Sequence, residues 1–222
     1  MRFYLFLCFV VFLFANDEIV AVDYENLLGV KKSGLFVKID ENLSQKEILF
    51  FNKTLKNADK IAVFDDKIYG IFDKNKFYKI DKNGKILAFI DKKFGRINDF
   101  KILKNEICLV GWDKNLSCYD DDFNLISAKN FNVILTALGR CSKVLLGDLN
   151  GNLINSNENF KHPIKQIECV DETIFLVFDN FILKKDEKGI KEVLNTKKEI
   201  AFVSVKSGEF IAIFKDKTKQ RF

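Results

Sequence analysis

The residues of this chain that could carry out chemistry are few, and histidine is the scarcest of them. His162, beside Pro163, is the only histidine in 222 residues. Serine hydrolases, zinc hydrolases and haem proteins normally use at least one well-placed histidine, and the count excludes a metal site with several histidine ligands. We predict that His162 lies in a loop between the third and fourth of the repeat units described below, and we expect neither an enzyme nor a cofactor.

Four cysteines follow the N-terminal segment, and their positions predict disulfide bonds. Cys108 and Cys118 lie about equally far from a turn near residues 113–115, which places them opposite each other in one hairpin. Such cross-strand neighbours are close enough for a disulfide. Cys141 and Cys169 fall near one face of neighbouring repeat units, where a second disulfide is geometrically allowed. No spacing is CxxC, so redox catalysis, an iron–sulfur cluster and attached haem have no support, and four buried free thiols are the alternative.

One segment imitates a calcium-binding loop. Asp148, Asn150 and Asn152 have the spacing of its first three ligands. However, the sixth position is Leu153 instead of glycine, and the twelfth is Asn159 instead of glutamate. The segment is therefore predicted to be a turn, and no metal site is expected.

The sequence is organised by a unit repeated about six times, which consists of an apolar strand, a polar turn and a strand of mixed polarity. Successive turns are roughly 31 to 42 residues apart, which is the period of a β-propeller blade. The apolar strands are Leu27–Val30, Ile68–Phe72, Ile107–Trp112, Val144–Gly147, Ile174–Phe178 and Phe210–Phe214. Because both of its faces are apolar, this strand must lie between neighbouring blades, whereas the mixed strand can face solvent in part.

Flanking strands complete the units and predict the fold class. Residues 58–90 and 96–128 each contain four strands, and the first unit is drawn as 19–22, 27–30, 35–39 and 47–51. The sequence predicts an all-β propeller of about six four-stranded blades. The last unit stops at Phe222 before a fourth strand, so either the final blade has three strands or the N-terminal segment closes the ring.

Two stretches carry a family resemblance. Residues 68–86, IYGIFDKNKFYKIDKNGKI, and residues 145–154, LLGDLNGNLI, resemble the blade repeats of WD40-like and quinoprotein-like propellers. The pairing of Gly-His with Trp-Asp is missing, and a single tryptophan does not fit the repeated docking motif of quinone enzymes. In overall layout the chain also resembles the secreted propellers that are encoded with some periplasmic nitrate reductases.

The N-terminus has the layout of a secretory signal peptide. After Arg2, residues 3–14 are apolar, and Ala15 precedes a polar stretch. We predict a signal peptide at 1–15, cleaved to leave one propeller domain at 16–222 in the periplasm. The alternatives are a retained anchor, although the apolar run is short for a membrane span, and a lipoprotein at Cys8, which the bulky Leu7 disfavours.

The charges do not indicate a nucleic-acid partner. There are 36 basic and 31 acidic residues, and lysines alternate with Asp and Asn at turns, as in solvated loops. The acidic run at 120–122 is likewise predicted to be a solvated turn. Two carboxylates for glycoside chemistry remain an open alternative, since a propeller gathers distant residues at its axis.

These observations predict a non-catalytic interaction or assembly platform for a protein partner. The resemblance implies a periplasmic respiratory enzyme, such as periplasmic nitrate reductase, as that partner. The alternatives are a ligand-binding or enzymatic propeller with its site in the central channel, and an envelope scaffold of outer-membrane assembly. Fold alone cannot choose among them.

Overall fold

The computed structural model describes residues 17–222 except 94, 104, 105, 155, 157, 171, 207, 208 and 217. The predicted signal peptide, residues 1–15, lies outside the described residues. The described chain forms 23 strands and one turn of 3-10 helix, Lys53–Leu55. No helix in this described part is long and apolar enough to span a bilayer.

The strands form six antiparallel sheets in the described chain, and each sheet is one continuous stretch of sequence. Blade 1 contains β1 (Ile19–Asp23), β2 (Leu28–Lys31), β3 (Leu35–Ile39) and β4 (Gln45–Phe51). Blade 2 contains β5 (Ala58–Phe64), β6 (Lys67–Phe72), β7 (Lys76–Ile80) and β8 (Ile86–Asp91). Blade 3 contains β9 (Ile97–Leu103), β10 (Glu106–Gly111), β11 (Asn115–Tyr119) and β12 (Leu125–Asn130).

The second half of the ring repeats this order. Blade 4 contains β13 (Leu135–Arg140), β14 (Val144–Asp148), β15 (Asn152–Ile154) and β16 (Glu158–Asn159). Blade 5 contains β17 (Gln166–Val170), β18 (Thr173–Val177), β19 (Phe181–Asp186) and β20 (Gly189–Asn195). Blade 6 contains β21 (Ile200–Lys206), β22 (Glu209–Phe214) and β23 (Lys219–Arg221), so this blade has three described strands. The all-β propeller prediction is confirmed.

Burial follows the radial position of the strands. The second strand of each blade is apolar because it is covered on both faces; Ile68 to Phe72 of β6, for example, are all buried. The outermost strands are the most exposed, and all of β12 is exposed. The third strand is more buried than predicted. Even Lys79 of β7 is buried, because its Nζ lies 2.6 Å from an Asp121 carboxylate oxygen of blade 3 and its charge is paired there.

The core is a set of apolar clusters between successive blades. The clusters from the blade 1–2 interface to the blade 5–6 interface each contain six to eleven buried residues. Among the described residues, the interface between blades 6 and 1, which we call the seam, holds two clusters of three buried residues each. One is Tyr24, Ile211 and Ile213, and the other is Leu35, Val37 and Ile39. Val22 and Leu43 pack against both seam clusters, so blade 1 turns this face to blade 6.

Two glycines allow blades 4 and 5 to approach closely. A Cβ atom at Gly139 would lie 2.3 Å from Cγ2 of Ile167, and one at Gly147 would lie 2.7 Å from Cβ of Ile164. Both distances are far below van der Waals contact, so any side chain would push the two blades apart.

Several turns are closed by an aspartate that accepts main-chain N–H groups two and four residues later. In each case one Oδ1 atom accepts both bonds, at 2.7 to 3.0 Å. The four aspartates are Asp40, Asp81, Asp120 and Asp148. This Asx-turn chemistry explains why Asp, Asn and Lys recur between the strands.

Candidate functional site

The first strands of the blades surround a central channel. A cavity of about 1210 Å³ lies along it, lined chiefly by β1, β5, β9, β17 and β21. Seven acidic and six basic described residues line this cavity. Because the two signs nearly balance, the lining does not produce the single-sign field that attracts a charged ligand.

Side chains on the first strands bind the main chain of the following blade. Asp23 accepts a hydrogen bond from the Val63 N–H at 2.6 Å, which joins blade 1 to blade 2. Asp99 accepts one from the Leu138 N–H at 2.8 Å, which joins blade 3 to blade 4. Asp99 is buried and also pairs with the Lys60 ammonium of blade 2. These carboxylates are therefore occupied in holding neighbouring blades together.

Gln166 makes the equivalent connection from blade 5 to blade 6. Its Nε2 donates to the Val203 carbonyl at 2.6 Å, and its Oε1 accepts from the Val203 N–H at 2.8 Å. The same Nε2 also donates to Glu168 at 2.8 Å. The amide thus fixes the orientation of Glu168 beside the channel.

An ion pair connects blades that are not neighbours. Lys101 of blade 3 and Glu168 of blade 5 approach to 2.5 Å between Nζ and Oε1, with blade 4 between their strands. Burial by itself would lower the pKa of Lys101, but Glu168 and Asp99 outweigh it and raise that pKa. Burial would raise the pKa of Glu168, but Lys101 and Lys60 outweigh it and lower that pKa. Both groups are charged at neutral pH and act as a brace across this side of the ring.

The channel network is internally satisfied. Every buried side-chain nitrogen or oxygen in the described residues has a hydrogen-bond partner. The partners of Asp99, Lys101 and Glu168 come from blades 2 to 5, so their contacts hold the blades in place. This arrangement was missed by sequence reasoning, because Lys101 and Glu168 are 67 residues apart and each looks like an ordinary surface charge.

The predicted cysteine pairs are placed together. Cys108 and Cys118 are opposite each other on β10 and β11, with their Cα atoms 4.0 Å apart. Cys141 and Cys169 lie on blades 4 and 5, with Cα atoms 5.3 Å apart. In the structure, the sulfur atoms of each pair are bonded to each other. Whether the four cysteines form disulfides in the isolated protein stays a prediction, which counting of free thiols tests.

One acidic group lies near the first cysteine pair. Glu106, Cys108 and Cys118 are the described Asp, Glu, His and Cys residues whose ligand atoms come close enough to share a metal ion. Both sulfur atoms are used in the pairing just described. A structural zinc site takes four ligands, usually thiolate or imidazole, so these three residues do not make one.

The remaining predicted sites are turns and a loop. Asp148 closes its turn through bonds from the Asn150 and Asn152 main chain, as expected. Asp120 closes the turn at 120–122, while Asp121 is anchored to Lys79. His162 lies between blades 4 and 5 rather than between blades 3 and 4. The sequence count missed the two-residue strand β16, which ends blade 4 just before this loop.

Exposed apolar side chains on the outer strands of blades 1 to 3 are a second feature that sequence reasoning missed. Phe89 of β8 is 61% exposed and Leu125 of β12 is 59% exposed. The other members are Ile48, Leu49 and Phe51 on β4, Leu87 on β8 and Ile126 on β12. We call these seven residues the apolar rim. Alternating polarity shows that a strand has two faces but not which face is exposed in the folded ring, so sequence alone could not find it.

Comparison with known proteins adds a likeness of fold. No family model and no curated protein matches the chain. The computationally designed Ika8 protein has a similar structure, with a TM-score of 0.61, 14% identity, and coverage of 92% of this chain and 70% of that one. BamB from Moraxella catarrhalis is also similar, with a TM-score of 0.57, 12% identity, and coverage of 90% and 67%. The likeness shows the fold alone.

Proposed function

We propose that this chain is a non-catalytic protein-binding propeller of the periplasm. The observation that carries the proposal is the apolar rim on three consecutive blades. Exposed apolar patches are typical of protein contact surfaces, because their burial on association is favourable. The channel charges favour the same function, since they are engaged in joining blades.

The periplasmic location and the identity of the partner are finer proposals. Location rests on the signal-like segment at residues 1–15. The partner we propose is a periplasmic respiratory enzyme, in particular periplasmic nitrate reductase. That proposal rests on the resemblance in layout to the secreted propeller NapL.

The experiment is affinity isolation of the C-terminally tagged protein from native periplasm, with identification of the co-purified proteins by mass spectrometry. The original sequence is compared with a Phe89→Asp/Leu125→Asp variant and with Lys161→Asp as the control. Lys161 is exposed and lies in the loop between blades 4 and 5. Respiratory-enzyme subunits should be recovered near stoichiometry with the original protein and the control, and at least tenfold less with the rim variant.

Two results would contradict the proposal. Isolation of the folded protein without any co-purified partner would contradict the assembly role. Equal recovery with the rim variant would remove the rim as the contact surface. Recovery of a different envelope protein at the rim would keep the platform function and replace the proposed partner.

A ligand-binding channel is the second candidate, and the cavity of about 1210 Å³ favours it. It predicts that a small molecule co-purifies with the protein and that Lys60→Met abolishes its retention. Native mass spectrometry of the isolated protein tests this directly. If the native isolate carried no bound small molecule, the ligand-binding function would be contradicted and the protein-binding function would stand.

A further inference from the structure

The loops at the two ends of blades 1 to 3 carry opposite charges. Because neighbouring strands are antiparallel, the turns between second and third strands and the connectors between blades lie at one end of the strands. In these blades they are residues 32–34, 52–57, 73–75, 92–96 and 112–114. The described part of these loops contains eight lysine or arginine residues and two aspartates. We call this set of loops the basic end.

The opposite end of the same three blades is acidic. Its described turns include residues 24–27, 40–44, 65–66, 81–85 and 120–124. They contain nine aspartate or glutamate residues and two lysines. The charge of blades 1 to 3 is therefore polarised from one end to the other, so each end attracts partners of the opposite sign.

Main-chain hydrogen bonds join the loops of the basic end into one surface. The donor N–H and acceptor carbonyl groups belong to Asn57 and Lys32 at 3.0 Å, Asp73 and Asn57 at 3.1 Å, Ile97 and Lys74 at 2.7 Å, and Trp112 and Arg96 at 2.9 Å. These bonds run from the turn of blade 1, through both connectors, to the turn of blade 3. The backbone positions of the cations are therefore fixed relative to one another.

Most cations of the basic end are not paired within the described chain. Lys92 pairs with Asp113 at 2.6 Å, and the Asp73 carboxylate is 3.2 Å from the Lys76 ammonium. The other seven cations are exposed and have no described carboxylate within ion-pair distance. They are Lys32, Lys53, Lys56, Lys74, Lys93, Arg96 and Lys114. Asp17, Glu18, Asp59 and Asp91 adjoin these loops, and four carboxylates offset this charge only in part.

The corresponding loops of blades 4 to 6 are neutralised to a larger extent. Three of the five described cations there pair with carboxylates of the same loops. The pairs are Lys165 with Asp179 at 2.6 Å and with Glu199 at 3.0 Å, Lys198 with Asp216 at 2.9 Å, and Lys215 with Glu199 at 2.6 Å. Unpaired positive charge is therefore concentrated on blades 1 to 3, which also carry the apolar rim.

The basic end also exposes the single tryptophan of the chain. Trp112 is 53% exposed, and it lies in the same turn as Lys114. Tryptophan is enriched among the residues that dominate the binding energy of protein interfaces, because its large apolar surface is covered on association. An exposed indole among unpaired cations fits a partner segment that carries both carboxylates and an apolar side chain.

We infer that the basic end of blades 1 to 3 binds an acidic segment of the protein partner, with an apolar side chain of that segment covering Trp112. The carboxylates of the segment pair with the exposed cations, which orient it on the three blades. This inference rests on the proposed protein-binding function and gives the chemistry of the partner. The apolar rim lies on the outer strands of the same blades, so one partner can contact both surfaces.

The test titrates the full chain with the peptide acetyl-Glu-Glu-Leu-Glu-Glu-Leu-Glu-Glu-amide and follows the fluorescence of Trp112. The control peptide has glutamine in place of every glutamate. The acidic peptide should move the emission to shorter wavelength, because the indole leaves water, and the glutamine peptide should not. The affinity should fall at least tenfold between about 50 and 300 mM salt, since salt screens exposed charges.

Two double variants test the position of the site. Lys93→Glu/Lys114→Glu reverses charges of the basic end, and Lys161→Glu/Lys197→Glu reverses two exposed lysines in the corresponding loops of blades 4 to 6. Each pair contains one residue with positive φ, 61° at Lys114 and 60° at Lys161, so the backbone cost is matched. The first variant should bind the acidic peptide at least tenfold more weakly, and the second within about twofold of the original. Thermal unfolding checks that both remain folded.

Other outcomes would overturn the inference. Unchanged emission with the acidic peptide, or equal weakening by the two variants, excludes the basic end as the site. Tighter binding to phosphatidylglycerol vesicles than to the peptide would make a lipid surface the occupant. Self-association that Lys93→Glu/Lys114→Glu abolishes would make the acidic end of a second copy the occupant. In the affinity isolation, full partner recovery with Lys93→Glu/Lys114→Glu would leave the platform function standing and refute this inference alone.

Discussion

Blades 4 and 5 are joined far more extensively than blades 6 and 1. The first interface has a cluster of seven buried residues, close packing at Gly139 and Gly147, and the Cys141–Cys169 pair. The seam has two clusters of three buried residues and polar contacts from Lys219 and Arg221 to Glu41. In the described part of the chain, fewer buried side chains join blade 6 to blade 1 than join blade 4 to blade 5, and we therefore expect the seam to open first under stress.

The largest expected effect is on the channel brace. Lys101→Met should lower the free energy of unfolding by about 5 kcal/mol, because it leaves the Glu168 carboxylate without its main partner in a largely buried position. Urea unfolding measures the loss. Lys165→Met is the matched control, since its partners Asp179 and Glu199 are exposed and the same change should cost under about 1 kcal/mol. If the two variants lost the same free energy of unfolding, the Lys101–Glu168 pair would contribute no more to stability than an exposed ion pair.

The brace also predicts a dependence on pH. The folded-state pKa of Glu168 is lowered, so its contribution is present above the unfolded-state pKa and is lost as the pH falls through the folded-state value. The folded-state pKa of Lys101 is raised, so its contribution is present below the unfolded-state pKa and is lost as the pH rises through the folded-state value. Urea unfolding from acid to alkaline pH should show these losses, and Lys101→Met/Glu168→Met should remove both.

The next effect compares one substitution at the two interfaces. Ile167→Ala should cost about 4 kcal/mol, because Ile167 is fully buried between blades 4 and 5 and its neighbours cannot collapse into the cavity. Ile211→Ala at the seam should cost about 2 kcal/mol, because this smaller cluster can relax around the loss. Denaturant unfolding of both variants gives the comparison. If Ile211→Ala lowered the free energy of unfolding as much as Ile167→Ala, the seam would be packed as rigidly as the interface between blades 4 and 5.

A slightly smaller effect is expected from the interblade cysteines. Replacing Cys141 and Cys169 together by alanine should cost about 3.5 kcal/mol, because a bond across 28 residues restricts the unfolded chain. The equivalent change at Cys108 and Cys118, which are 10 residues apart, should cost about 2.5 kcal/mol. Thiol titration of the denatured, unreduced protein is the companion measurement. Detection of these four thiols would contradict both disulfides.

The smallest effect is expected at the seam itself. Lys219→Met removes a hydrogen bond to Glu41 and a cation placed 5.8 Å from the Tyr24 ring centre. It should cost under about 1 kcal/mol, because the site is exposed. Hydrogen exchange at Ile211 and Ile213 should nevertheless accelerate. Lys46→Met, which breaks an exposed pair with Asp40 inside blade 1, should leave that exchange unchanged.

The strands could be predicted from sequence because each blade is local. The first unit was placed within two residues of β1 to β4, since apolar runs between Asp, Asn and Gly turns define strands directly. Strand β16 was missed because two residues cannot show a pattern. The Lys101–Glu168 brace could not be predicted from the sequence. It depends on the angles at which blades 3, 4 and 5 are arranged around the central axis, and no local sequence pattern determines those angles.

The continuity of each blade has a consequence for how such rings change over generations. Five connectors of four to six residues link one blade to the next, and no sheet of the described chain takes a strand from a second blade. A duplication or deletion of one gene segment would therefore add or remove a whole blade without cutting any sheet. The angles between blades would have to readjust, together with the side-chain contacts that depend on them at the seam and at the Lys101–Glu168 brace, but every sheet would stay whole.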